Sequence, residues 1–119
     1  MDADHRELLV RAMQALSAPA RLRIVELLRG RALCVNALTA RLGITQGAVS
    51  QHLRVLREAG FVVAEKHGYF VHYTLDEARL AEVRDALGAF LSGGRGVPSA
   101  AKGAGPCARR RSVARSRRS

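Results

Sequence analysis

Residues 44–54, Ile44-Thr45-Gln46-Gly47-Ala48-Val49-Ser50-Gln51-His52-Leu53-Arg54, constrain what this chain can fold into more than any other stretch. Thr45 is a hydroxyl residue placed to cap the free N–H groups of a helix start. Val49, Leu53 and Leu56 then recur at i, i+4 and i+7, the spacing of a face that a helix buries. Gly47, Ser50, Gln51, Arg54 and Glu58 fall on the opposite face. The segment therefore predicts a helix with one apolar side and one side of small, hydroxyl, amide and guanidinium groups.

The residues before it supply a partner. Cys34 to Leu42 reads as a short helix with Val35, Leu38 and Leu42 on one face, and Gly43 stands where a helix ends in a left-handed residue. Two helices joined by a tight turn containing glycine make a helix-turn-helix, whose second helix enters the DNA major groove. The polar face carries the side chains that read base edges there. Downstream, Gly60 can cap the second helix, and Phe61 to Lys66 is β-branched and aromatic enough for a strand. His67-Gly68 is a turn signal, and Tyr69 to Leu75 reads as the returning strand. A hairpin directly after such a helix is a wing, with Lys66 and His67 at its tip.

These runs together resemble the ArsR/SmtB winged-helix repressors over residues 5–92. The resemblance is carried by Leu33-Cys34-Val35, by the run from Leu42 to Leu53, by Leu56-Arg57-Glu58-Ala59-Gly60-Phe61-Val62, and by the wing run from Lys66 to Tyr73. It implies a mainly α fold with a small β-hairpin, a winged helix-turn-helix that is homodimeric. It also implies a DNA-reading set. Thr45 caps the recognition helix, Gln46, Gly47, Ser50, Gln51 and Arg54 face the groove, Arg57 meets a phosphate, and Lys66 and His67 hold the wing on the backbone.

The flanking helices fit that plan. Arg6 to Leu16 carries Leu8 or Leu9, Ala12, Met13 and Leu16 at helical spacing. Pro19 suits the first turn of a second helix, lined by Leu22, Val25 and Leu28 and closed by Gly30. Asp76 is placed to cap a final helix from about Glu77 to Leu91. There Leu80, Val83, Leu87 and Phe90 alternate spacings of three and four, the seam used against a partner helix. The resemblance assigns the first and last helices to the dimer interface. Dimerisation also lets two recognition helices read a palindrome.

Charge divides the chain unevenly. Residues 1–92 hold 12 Lys and Arg against 10 Asp and Glu, whereas residues 93–119 hold 8 Lys and Arg and no acid. The sequence thus predicts a DNA-binding and dimerisation domain at 1–92 and a basic tail at 93–119. The tail is rich in Gly, Ser and Ala and has no aromatic residue, so disorder is expected. A cationic arm of this kind adds affinity through phosphate neutralisation. No apolar run of about 18 residues is present, so no membrane helix is expected. The acidic start Met1-Asp2-Ala3-Asp4-His5 lacks the apolar core of a secretion signal, and a cytoplasmic location follows.

Signal detection has fewer markers. In the resembled family, arsenite binders commonly begin the first helix of the motif with Cys-Val-Cys and place a third Cys nearby. The matching positions here are Cys34, Asn36 and Thr39, so one thiol of three is kept. Cys107, beside Arg109-Arg110-Arg111, lies in a setting that favours thiolate. Cys34 and Cys107 are the candidate sensor thiols, able to hold a trivalent arsenical or form a disulfide, while Cys34 also reads as a small apolar core residue. The resembled family's zinc-type site on the final helix has no counterpart, since Glu77, Glu82 and Asp85 are there without a histidine. His5 with Asp2 or Asp4 stays open as an N-terminal metal site. No phosphate-cradling glycine loop or nucleophile triad points to an enzyme. Two alternatives stand beside a metalloid- or thiol-released repressor. One is a winged-helix regulator without an effector, and the other is a general nucleic-acid-binding protein driven by the tail.

Overall fold

The computed structural model describes residues 2–93. Its elements are α1 (Ala3–Leu16), α2 (Pro19–Leu27), β1 (Leu33–Cys34), α3 (Val35–Leu42), α4 (Gln46–Glu58), β2 (Val62–His67), β3 (Phe70–Leu75) and α5 (Glu77–Leu91). The chain separates along α5 into two units, Met1–Arg84 and Asp85–Ser119. The tail beyond Gly93, with Cys107, lies outside the described residues.

Helix boundaries follow local chemistry. Asp2 opens α1 by accepting from the His5 backbone N–H at 2.9 Å, and that bond holds its carboxyl below the usual aspartate range. Pro19 begins α2 after Ala18, which makes no side-chain cap. Gly43 ends α3 in the left-handed region at φ 70°. Asp76 caps α5 by accepting from the Arg79 N–H at 3.1 Å.

The core of the first unit collects α1, α2, α3, α4, the start of β2 and the early part of α5. Ile24, Leu28, Leu38, Val49, Leu53, Leu56 and Phe61 are its fully buried side chains. Fully burying one such side chain contributes about 1.5–3 kcal/mol, so α4 alone brings three strong anchors. No polar side chain belongs to the buried set among the described residues.

Five sequence expectations shift. The sheet has three strands in the order β1-β3-β2, all antiparallel, and is more than a hairpin. Cys34, read as the first residue of α3, and Leu33 before it form a strand that pairs with His72 and Tyr73. A two-residue strand is too short to leave a period in the sequence. On α2 the buried stripe is Ile24, Val25 and Leu28, while Leu22 is half exposed. Both stripes have acceptable spacing, and packing chooses the one that includes the β-branched Ile24. On α1, Ala15 is buried and Met13 is not. The wing turn is displaced by one position: His67 pairs with Phe70, leaving Gly68 (φ 66°) and Tyr69 as the tip.

Candidate DNA-binding surface

The helix-turn-helix is α3, a tight turn at Gly43 and Ile44, and α4. Thr45 Oγ1 accepts from the Ala48 N–H at 3.1 Å, so the predicted cap is present. At the other end the Gly60 N–H donates to the Arg57 carbonyl, and the Phe61 N–H to the Leu56 carbonyl, both at 2.9 Å. This is the paired closure that needs a left-handed residue, which Gly60 supplies at φ 87°. Phe61 and Leu56, which accompany it, are both fully buried. The side chain of Arg79 on α5 lies over Gly60, where an added Cβ would meet its Nε at 2.7 Å.

With both ends closed and Val49, Leu53 and Leu56 buried, the other face of α4 is turned outward. Gln46, Gly47, Ser50, Gln51 and Arg54 are all exposed, and a Cβ on Gly47 would meet open space. A glycine there lets another backbone approach closely. Arg54 pairs with Glu58 at 3.3 Å in an exposed contact worth little by itself. Arg57 is exposed too. Gln46 Nε2 donates to Asn36 Oδ1, which ties the start of α4 to the start of α3.

The wing places Lys66 and His67 at the end of β2, both exposed. His67 Nε2 stands 3.5 Å from Glu65 Oε1, and its ring meets that of His72 edge-on at 5.2 Å. Tyr69 at the tip is fully exposed, and Phe70 is 59% exposed. Sequence reading missed both as tip residues, because the turn signal was placed one residue early.

Cys34 is a free, half-buried thiol that precedes α3 and makes no side-chain cap. The dimer-seam residues have different surroundings: Val83 and Leu80 pack into the core of the first unit, Leu87 is half-buried, and Phe90 is 55% exposed. His5 Nδ1 lies 3.1 Å from Asp2 Oδ1. Among the described residues, no group of three or more His, Cys, Asp and Glu side chains is arranged to hold a metal ion. Nor is any helix among them long and apolar enough to cross a membrane.

Two other residues emerge only from the structure. Asn36 braces α4 as described, and Arg21 on α2 reaches His52 on α4 at 3.1 Å. Neither has a periodic signature. Arg21 stands in Pro19-Ala20-Arg21, where a charged residue ordinarily faces solvent.

A capped helix with an apolar back and a polar outer face, preceded across a glycine turn by a short helix and followed by a two-strand wing, defines a winged helix-turn-helix protein. Residues 18–63 match the family described as "Bacterial regulatory protein, arsR family". The chain is 39% identical over 79 residues to the HTH-type transcriptional regulator CmtR of Mycobacterium bovis, covering 66% of this chain and 67% of that protein. It is 41% identical over 73 residues to the HTH-type transcriptional regulator NmtR of Mycobacterium tuberculosis, covering 61% of each. A solved structure described as a "Possible transcriptional regulator for arsenical resistance" superposes with a TM-score of 0.59 at 40% identity, over 68% of this chain and 80% of that one. The chain belongs to the ArsR family. It spans 61% of the length of NmtR.

Proposed function

We propose that this protein is a homodimeric transcriptional repressor that occupies operator DNA through α4 and excludes polymerase. The observation that carries the reading is the outward face of α4: five exposed positions, Gln46, Gly47, Ser50, Gln51 and Arg54, on a helix closed at both ends and buried behind. An amide or guanidinium on such a face reads base edges in the major groove. Arg57, Lys66 and His67 serve the phosphate backbone, and the basic residues of 93–119 add a salt-dependent, sequence-independent share. Residues 1–92 form the reading and dimerising part, with α1 and α5 against a second copy and Phe90 the most exposed residue of the α5 seam. The likeness to regulators and repressors of the same family supports this role.

Release by a thiol-reactive or arsenical signal completes the proposal. Cys34 sits one residue before α3, so chemistry on it acts directly on the helix that braces α4. Cys107 is the second thiol, and the likeness to a protein described as a regulator for arsenical resistance favours this ligand class.

One binding titration tests both parts, using the duplex that the wild-type chain selects from a random-sequence pool. Ser50→Ala with Gln51→Ala is expected to lose about 1–3 kcal/mol per base contact removed. Unchanged affinity would overturn the assignment of the reading face. Phenylarsine oxide is expected to release wild-type protein but neither Cys34→Ser nor Cys107→Ser. Equal release from all three would remove the thiols from the mechanism.

A further inference from the structure

We propose that Arg21 is a positioning residue for DNA reading, acting through His52 to set the rotation of α4; this rests on α4 being the reading helix. Arg21 lies in the first turn of α2, and its guanidinium spans three elements. Nε donates to the Ala15 carbonyl at 2.6 Å, Nη2 to the Gln14 carbonyl at 3.4 Å, and Nη1 to His52 Nδ1 at 3.1 Å. Gln14 and Ala15 belong to the last turn of α1, whose carbonyls carry the negative end of its dipole. The Gln14 carbonyl also accepts from the Ser17 N–H at 3.4 Å and hydroxyl at 2.9 Å, so the short bond to Ala15 is the main anchor. A planar cation with several fixed donors suits that place, and a lysine ammonium does not reproduce the fork.

The contact with His52 has one chemical solution. A guanidinium stays protonated and has no acceptor, so it must donate. His52 Nδ1 therefore accepts, and the ring proton is fixed on Nε2. Arg21 thereby sets the tautomer of a ring on the reading helix.

Position gives this contact its consequence. His52 stands between exposed Gln51 and buried Leu53, on the flank of α4 between its reading face and its core face. Val49, Leu53 and Leu56 hold α4 down through apolar contacts, which are not directional. A hydrogen bond at the flank is directional, and one about 100° around the helix from Gln51 resists rolling of α4 about its axis. A small roll displaces Ser50 and Gln51 sideways in the groove while leaving the apolar anchors buried. The Arg21 fork thus relates the angle of the reading face to the end of α1.

The test follows the imidazole and the DNA separately. In wild-type protein at neutral pH, the 15N shifts of His52 are expected to report a single Nε2–H tautomer, and Arg21→Gln to give a mixture. Arg21→Gln and His52→Phe are each expected to weaken binding to the selected duplex about tenfold, the scale of one lost charge-assisted hydrogen bond. Their affinity for poly(dI-dC), governed by phosphates, is expected to hold. His52→Asn, whose Oδ1 can accept in place of Nδ1, is expected to restore most of the specific affinity. The double variant is expected to be no weaker than either single one.

Equal losses on both DNAs, or no rescue by His52→Asn in a variant with wild-type circular dichroism, would overturn the proposal. A fixed tautomer combined with unchanged specific affinity in Arg21→Gln would overturn it as well. Wild-type protein that shows the tautomer but selects no duplex from the pool would remove the reading of α4, and this role with it.

Discussion

Helix α4 and the wing lie next to each other in sequence and face the same ligand in the proposed function, yet they are held by different physics. The helix is fixed from behind: Val49, Leu53 and Leu56 are at most 1% exposed, and both ends are closed by hydrogen bonds. The wing is fixed mainly by its backbone ladder. Beyond Ala64 and Tyr73, each β2 residue from Glu65 to His67 is exposed, as are Phe70 and Val71 opposite. In the proposed function, an element that must hold its angle is bolted to the core, whereas one that follows a DNA backbone needs only its hairpin. Side-chain changes should therefore cost folding stability in α4 and very little in the outer wing.

The largest expected effect contrasts Leu53→Ala with Phe70→Ala. Leu53 is 1% exposed in the centre of the core, and truncation there is expected to cost about 2–5 kcal/mol, seen as a lower urea midpoint. Phe70, 59% exposed, is expected to change stability by no more than about 0.5 kcal/mol in the same titration. A comparable loss at Phe70 would mean that something covers the wing and would break the comparison.

The joint between the two regions gives the next effect. Gly60 closes α4 at φ 87° and leads into β2, and the Asp76 N–H donates to the adjoining Phe61 carbonyl at 2.8 Å. Gly60→Ala forces a left-handed alanine, expected to cost about 1–2 kcal/mol. The displaced Arg79 side chain is flexible and adds little. Thermal unfolding of Gly60→Ala beside Gly68→Ala, the wing-tip glycine at φ 66° with open space around it, separates strain from contact. Similar losses would show that backbone conformation dominates at both sites; a much larger loss at Gly60 would assign weight to Arg79.

The same contrast explains what the sequence made legible. The period of Val49, Leu53 and Leu56, the Thr45 cap and the glycines at 43 and 60 are local signals, and every one has its counterpart in α4 and its ends. Asp76 and the span of α5 were equally local. Pairing of Leu33 and Cys34 with a strand nearly forty positions away was not, since two residues carry no period and their partner is set by tertiary packing. Choosing between Leu22 and Ile24 on α2 needed the neighbouring helices. The outward face of α4 could be written down from spacing, but the braces that orient it could not. Asn36 to Gln46 and Arg21 to His52 join polar residues from separate helices, and a one-dimensional pattern does not contain that pairing.

The smallest effect asks whether the closure of α4 is special among the helix starts. The first turn of α1 is capped by a carboxylate, Asp2, and that of α4 by a neutral hydroxyl, Thr45. The backbone hydrogen bond from His5 is the largest cause of the lowered Asp2 pKa, so the cap is stronger when Asp2 is ionised. A carboxylate whose folded pKa is depressed contributes its stability above the ordinary value of 3.8, and loses it as pH falls through the lowered value. The first turn of α1 is therefore expected to fray on acidification below 3.8, followed through the His5 amide resonance, while the Ala48 amide that Thr45 caps stays in place. Asp2→Asn keeps an acceptor that does not titrate and should flatten the His5 profile. If His5 frays with the same pH profile in that variant, the carboxylate is not its cause. If Ala48 frays alongside it, the start of α4 is no better held than that of α1, and the contrast between a bolted reading helix and its surroundings fails at its N-terminal end.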